Sequence, residues 1–213
     1  MPPRGDTPIG IAREGYRFVF PALGLAAAAF VVGWTAAAVA LLAVAAAVAG
    51  FFRDPARVAP GGEGLVVSPA DGKVVEVDDD DGAHPGGRRV SIFLSPLDVH
   101  INRAPLDARV ADIRYQAGRF LAAYKGKASE ENERNAVELT DASGRTVRVV
   151  QIAGFLARRI VCDVGRGDSL QRGQRFGMIM FGSRVDLHLP ADAKVAVRPG
   201  ERVRGGESIV ARL

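Results

Sequence analysis

The sequence predicts a mainly β body, a strand-rich barrel or sandwich, that follows an apolar helical hairpin. Three observations carry this prediction. Phe18 to Phe52 contains no charged residue, whereas Arg53 opens a stretch in which Arg, Asp, Gly and Pro replace the apolar run. Beyond residue 64 the apolar residues come in short runs or alternate with polar ones, the period-two pattern of strands. Clusters of Gly, Pro and Asp separate these runs at close intervals, which suits many short strands and disfavours a parallel sheet with crossover helices. The chain divides into a cytoplasmic tail (1–17), a membrane hairpin (18–52), an interfacial connector (53–64) and a body (65–213).

Read as one helix, the uncharged run would be roughly 50 Å long, well beyond a hydrocarbon core of about 30 Å. Two short passes, spanning or re-entrant, fit better. Pro21 and Gly24 can bend the first pass, and Gly33 with Trp34 marks the turnaround, Trp being comfortable at the headgroup level. Arg4, Arg13 and Arg17 precede the run and Arg53 and Arg57 follow it, so both ends and the body are expected on the cytoplasmic side of the cell membrane. A buried helix pair in a soluble protein and a secretory signal are the competing readings. The run is longer than a usual signal core.

In the body, Leu65–Val67 and Lys73–Val77 flank the turn signature Pro69-Ala70-Asp71-Gly72. Asp78 to Asp81, with Gly82 and Pro85 to Gly87, reads as an exposed loop. Its consecutive acids lack the spaced ligands and terminal Glu of a calcium loop. Strands follow at Arg89–Ser95 and Arg109–Tyr115. Residues 119–134 are mixed, with part of a helical face at Phe120 to Tyr124 weakened by Gly126 and a polar run. Ala136–Thr140 and Arg145–Gln151 bracket Asp141-Ala142-Ser143-Gly144 as a hairpin. Later strands are expected at Arg159–Asp163, Met178–Phe181, Val185–Leu189, Lys194–Arg198 and Ser208–Arg212. In Val185–Leu189 the alternation gives an apolar and a polar face. The Gly-turn and short-strand alternation from Val197 to Val210 is similar to swinging-arm carrier domains, but Lys194 is not displayed in a symmetric turn as a carrier lysine would be.

The net charge is +4, with three histidines and one cysteine, which excludes a disulfide framework and a cysteine-held zinc. The few aromatics do not interleave with basic runs, so no nucleic-acid partner is expected. Cys162 lies in a strand-like run without a neighbouring base motif and reads as a small buried hydrophobe. The Glu130 to Glu133 run does not make a metal site, since selection depends on converging oxygens. His84 falls in the Gly/Pro loop and faces solvent; His188 reads as a polar-face residue.

Chemistry is carried by a set of short motifs taken together. They are Ser68-Pro69-Ala70-Asp71-Gly72, Ser95-Pro96-Leu97-Asp98-Val99-His100, Lys127-Ala128-Ser129-Glu130-Glu131-Asn132-Glu133-Arg134-Asn135, Gln151-Ile152-Ala153-Gly154-Phe155-Leu156-Ala157-Arg158-Arg159 and Gly177-Met178-Ile179-Met180-Phe181-Gly182-Ser183. A bare Gly-Ser pair usually marks a turn. In this order and spacing, from the apolar segment through Leu213, the set resembles the short, membrane-bound form of the phosphatidylserine decarboxylase family.

The resemblance implies a proenzyme that cuts itself between Gly182 and Ser183. The serine hydroxyl attacks the preceding carbonyl, the amide becomes an ester, and elimination leaves a covalent pyruvoyl group at the new terminus of residues 183–213, which stay paired noncovalently with residues 1–182. A serine needs a base or an oriented carbonyl to act, and Gly182 removes bulk beside the attacked carbon. Asp71 matches the family's processing aspartate. His100 matches the first histidine of the family's Asp-x-His-x-x-His pattern, associated with decarboxylation; the second falls at Arg103, and a guanidinium is a poor base. Either His100 serves both stages or Asp71 acts more directly.

The implied reaction removes carbon dioxide from phosphatidylserine to give phosphatidylethanolamine in phospholipid biosynthesis, with the pyruvoyl group as electron sink. The implied substrate is a serine phospholipid in the bilayer. No metal and no pyridoxal phosphate are expected, so Lys125 and Lys127 need not form a Schiff base. Arg103, Arg158 and Arg159 are candidates for holding phosphate or carboxylate. A homo-oligomer is left open. The competing functions are a membrane-tethered adaptor with a carrier-like β domain, and a pyruvoyl-dependent decarboxylase of another amine-bearing substrate.

Overall fold

A computed structural model of the chain describes residues 10–79, 87–118, 132–154, 159–180 and 183–213. They form two compact units, one reaching Ala56 and the other beginning at Arg57.

The first unit is a helical hairpin. Helix α1 spans Arg13–Val31 and α2 spans Thr35–Phe51, at 19 and 17 residues. At 1.5 Å per residue these measure roughly 28 and 25 Å, close to the hydrocarbon thickness. Of the two, α1 is long and apolar enough to cross a membrane. It starts at Arg13, inside the expected tail, because Arg and Glu propagate a helix as readily as apolar residues do. It also runs on through Pro21. The reversal falls at Gly33, whose φ of +82° is one that a side chain rarely adopts, beside Trp34 as expected.

Small residues, Ala26 and Ala29 on α1 with Ala38 and Ala45 on α2, are buried, the composition that lets two helices approach closely. Phe20, Leu25, Phe30 and Leu42 point outward and are exposed. At the open end the Ala12 N–H donates to the Phe52 carbonyl at 2.7 Å and Ile11 bridges Arg53, so both ends of the hairpin lie together. A Cβ on Gly15 would stand 2.6 Å from the Phe52 Cβ, so only glycine fits there.

The second unit is built of strands. In chain order these are β1 Leu65–Val67, β2 Gly72–Asp78, β3 Arg88–Leu94, β4 Ile101–Arg103, β5 Ala108–Gln116, β6 Arg134–Thr140, β7 Thr146–Ile152, β8 Ile160–Cys162, β9 Ser169–Leu170, β10 Arg175–Ile179, β11 Ser183–Leu189, β12 Lys194–Val195, β13 Arg202–Val203 and β14 Ile209–Arg212. An eight-stranded antiparallel sheet in the order β13-β2-β3-β11-β7-β6-β5-β9 curls into a half-barrel. Three-stranded sheets β4-β10-β8 and β1-β14-β12 complete the unit. The mainly β expectation is met.

The inner face of the half-barrel is the core. Val185, Leu187 and Leu189 of β11 project there with Ile92 and Leu94 of β3 and Val147 and Val149 of β7. The expected alternation on β11 is present, but its polar face is not solvated. All seven residues of this strand are buried, because it lies between β3 and β7 in the middle of the sheet.

Two other expectations shift. The strand expected at Met178–Phe181 runs from Arg175 to Ile179, since Gly177 lets β10 approach β8 so closely that a Cβ would lie 2.3 Å from the Val161 carbonyl oxygen. The strand expected from Lys194 to Arg198 stops at Val195. The short strands β4, β9 and β13 carry too few residues to show a period. The expectations for residues 119–131, for most of the acidic loop including His84, for Lys125 and Lys127, and for Phe181, Gly182 and Arg158 lie outside the described residues.

Candidate active site

The site grows from one turn and the two strand ends beside it. Ser183 opens β11 and pairs with Leu94, the last residue of β3. After Leu94 the chain turns through Ser95 to Asp98, held by the Asp98 carboxylate, which accepts the Ser95 N–H at 2.8 Å, and by the Asp98 N–H donating to the Ser95 carbonyl at 2.9 Å. His100 follows. Its carbonyl accepts the Ile179 N–H at 3.2 Å, so His100 lies against the end of β10, four positions before Ser183. The segment after β3, the end of β10 and the start of β11 therefore lie at one end of the body, and they bring His100 and Ser183 to it.

Both side chains are completely buried. The Ser183 hydroxyl has no hydrogen-bond partner among the described residues. A buried hydroxyl in that condition forfeits a hydrogen bond that most folded proteins supply. His100 Nδ1 lies 2.9 Å from the Asp98 carbonyl oxygen. A carbonyl only accepts, so Nδ1 carries the proton and Nε2 is the basic nitrogen of the neutral ring.

Asp71 reaches the same end from the other side of β3. Lys73 pairs with Phe93, which sets the Asp71-Gly72 turn beside Leu94 and Ser95. A Cβ on Gly72 would lie 2.2 Å from the Phe93 carbonyl oxygen, so the turn can sit there only with glycine after Asp71. The Asp71 carboxylate accepts the Gly205 N–H at 2.7 Å and an Arg57 guanidinium N–H at 2.9 Å, and Arg57 also holds Glu207 at 2.7 Å. Burial pushes the Asp71 carboxyl above the usual carboxylate range, against the pull of the Gly205 N–H and Arg57, and the nearby Asp98 charge adds to the rise. Arg202 in turn pairs with Asp98.

The arginine candidates part company. Arg103 is buried, donates to the Gly173 carbonyl at 3.1 Å and lies close under Gly206. Arg159 is exposed, and its carbonyl accepts the Met180 N–H at 3.2 Å, which places it beside the end of β10. His188 is buried on the outer face of β11 between Arg89 and Arg148 in register. Cys162 is half-buried, and burial pushes its thiol up.

Motif reading gave no role to three amides, although Asn135 and Gln151 stand within the motifs. Gln151 Nε2 donates to Asn102 Oδ1 at 2.8 Å and to the Val161 carbonyl at 3.2 Å, and Gln151 Oε1 accepts from Asn135 Nδ2 at 2.9 Å. All three side chains are buried. The signal was present in the alternation: Gln151 continues the inward-facing register of Val147 and Val149, and Asn135 that of Leu139 and Val137, so each is a polar residue at a core position.

Comparison with known proteins gives one answer. The family model for phosphatidylserine decarboxylase matches residues 44–211. Three relatives named phosphatidylserine decarboxylase proenzyme are similar over most of the chain. That of Symbiobacterium thermophilum is 50% identical over 206 residues, covering 95% of each chain. That of Saccharopolyspora erythraea is 49% identical over 170 residues, 76% of this chain and 72% of its own. That of Syntrophus aciditrophicus is 45% identical over 203 residues, 93% of this chain and 95% of its own. With Asp71, His100 and Ser183 brought to one end of a β body and this similarity running nearly end to end, the chain belongs to the phosphatidylserine decarboxylase family.

Proposed function

We propose that this protein is a self-processing, pyruvoyl-dependent enzyme that decarboxylates phosphatidylserine to phosphatidylethanolamine at the cell membrane. The observation that carries the reading is Ser183: a completely buried hydroxyl, without a partner among the described residues, at the head of a central strand and at the same end of the body as His100. The printed names of the relatives, proenzymes of this activity, support it.

In processing, the Ser183 oxygen attacks the carbonyl carbon of the peptide bond before it while His100 Nε2 takes the hydroxyl proton. The C–N bond breaks and an ester forms. Removal of the residue 183 Cα proton then breaks the C–O bond, releases the carboxylate of residue 182, and water displaces ammonia to leave the pyruvoyl group. Nothing is oxidised or reduced overall. Residue 183 fits that group, since a planar carbonyl needs no more room than the buried serine side chain.

When present, the pyruvoyl group supplies an electrophilic carbonyl that takes up the electrons left as carbon dioxide departs. The protein's residues do the rest. His100 holds a proton at Nε2 for return to the substrate Cα. Both Asp71 oxygens are engaged, so Asp71 fixes the 69–72 turn and its Arg57 clamp against β3. Exposed Arg159, beside the end of β10, is the better placed arginine for the lipid phosphate or carboxylate, whereas Arg103 is committed to the Gly173 carbonyl.

The apolar hairpin enters the bilayer, and the positive charges of Arg13, Arg17 and Arg53 at its open end support an orientation with that end on the cytoplasmic side. Residues 183–213 stay with residues 1–182 because β11 lies between β3 and β7, β13 pairs with β2 and β14 with β1.

Intact mass of the purified protein tests the reading. The expected result is two chains, with the fragment from residue 183 lighter by ammonia than a serine-ended fragment, and turnover of phosphatidylserine in vesicles that borohydride abolishes. An active protein of full-length mass would overturn it.

A further inference from the structure

The inner face of the large sheet is apolar along most of its length and turns polar at the end that carries Ser183. Gln151 stands opposite Val185 of β11, and Asn135 stands opposite Gln151 on β6. Ser183 is two positions from Val185, so its side chain leaves the same face and is a diagonal neighbour of Gln151. From the second sheet Asn102 meets Gln151, and His100 lies two residues earlier, just before β4, with its carbonyl against Ile179.

The amide orientations follow from chemistry. The Val161 carbonyl can only accept, so the Gln151 atom facing it is Nε2. That nitrogen also faces the Asn102 amide, so Asn102 presents Oδ1 to it, and Asn135 presents Nδ2 to Gln151 Oε1. Three amides are thereby aligned in one sense, with Asn102 Nδ2 at the far end. This donor is buried and has no acceptor among the described residues. A buried N–H left so costs about 1–3 kcal/mol, which a functional acceptor would offset. The Ser183 hydroxyl shares its condition at the same end of the face.

We propose that Asn102 is a further catalytic residue for self-cleavage, its Nδ2 donating a hydrogen bond to the oxyanion formed when the Ser183 hydroxyl attacks the peptide bond before it. Gln151 is the positioning residue that turns Nδ2 toward the reaction. In this step the C–O bond forms, the carbonyl π electrons move onto oxygen, the hydroxyl proton goes to His100, and Asn102 stabilises the new charge without giving up a proton. The inference rests on the self-processing reading above.

The test follows chain breakage over time by intact mass in full-length protein synthesised cell-free with lipid vesicles. Asn102→Asp keeps the acceptor for Gln151 and removes the donor; Gln151→Glu cannot donate to Asn102 and turns its nitrogen inward. Each is expected to slow the break on the order of 10²-fold. The unbroken Asn102→Asp chain should hold no ester, so hydroxylamine should not cut it.

Breakage at the wild-type rate, or an unbroken variant that hydroxylamine cuts readily, overturns the proposal. Folding is followed by urea unfolding of each variant with Ser183→Ala added. If the Asn102→Asp pair shows no cooperative transition, Asn102→Ala decides by the same criteria; loss of cooperativity in both makes the amide purely structural and also overturns it. A wild-type chain that stays whole would instead sink the self-processing reading.

Discussion

The two faces of β11 are buried alike and built for opposite ends. On the outer face, Arg184 donates to Asp186 at 2.6 Å, to Ser91 at 2.6 Å and to Glu76 at 2.9 Å, so its charge is met on three sides. On the inner face, Val185, Leu187 and Leu189 fill the core and Ser183 at the head of the row has a hydroxyl with no partner among the described residues. A buried ionic group tolerates its place only when fully paired, whereas a reactive group must be left something to do. Within one strand, then, polar satisfaction marks attachment and its absence marks chemistry.

Replacing the head of the inner row has the largest expected effect. Ser183→Ala should leave the chain whole, with no fragment beginning at residue 183 and no carbon dioxide released from phosphatidylserine, while its unfolding midpoint in urea stays close to that of an unbroken wild-type sample. A broken Ser183→Ala chain would place the reactive group elsewhere.

On the outer face the readout should be stability instead. Arg184→Ala strips the Asp186 and Glu76 carboxylates of this cation, and removing one partner of a buried pair costs about 3–5 kcal/mol. Urea titration in a Ser183→Ala background measures it. In the broken protein the same change should let residues 183–213 separate from the large chain at lower urea, which size-exclusion chromatography reads directly. A change below 1 kcal/mol would erase the proposed contrast between the faces.

Leu187→Ala sharpens the comparison, because it disturbs the inner row away from its reactive head. A fully buried leucine in this setting is expected to cost about 3 kcal/mol from lost burial and the cavity left behind. Chain breakage at permissive temperature should nonetheless go to completion, since the strand ends at Leu94 and Ile179 are untouched.

The smallest effect is a pH dependence. The folded state holds the Asp71 proton more tightly than an ordinary carboxylate does, because burial disfavours the charged form. Between the ordinary carboxylate pKa and the raised one, the folded protein binds more protons than the unfolded chain, so this group's contribution falls as pH rises through that window and is flat above it. Asp71→Asn with Ser183→Ala should flatten that slope when urea midpoints are compared from about pH 4 to pH 7. An identical slope in both would show that Asp71 titrates normally.

Much of this was legible along the chain. The uncharged run, Gly33 and Trp34 located the hairpin and its reversal, since lipid thickness and a positive-φ turn leave few alternatives. Most strands were found from short apolar runs and the turn residues that separate them. The burial of the polar side of β11 was not legible, because alternation reports which residues share a face and says nothing of whether a neighbouring layer covers it; Asp186 and His188 were expected on a polar face, and with Arg184 they are buried. Gln151 and Asn135 stood in the motifs without a role for the complementary reason: each is one polar residue in an apolar register, and its partners lie on other strands.

By itself the sequence determined the membrane-length apolar run, the strand-rich body and, through five short motifs, the family, because these depend on residue type and local spacing. Only the tertiary structure decided that Asp71 is clamped by Arg57 and the Gly205 N–H, that Arg103 donates to the Gly173 carbonyl, and that Asn135, Gln151 and Asn102 join in one hydrogen-bonded row. Hydrogen bonds join residues far apart in the chain, and whether a polar atom is satisfied is settled by what the fold lays across it, which no local pattern records.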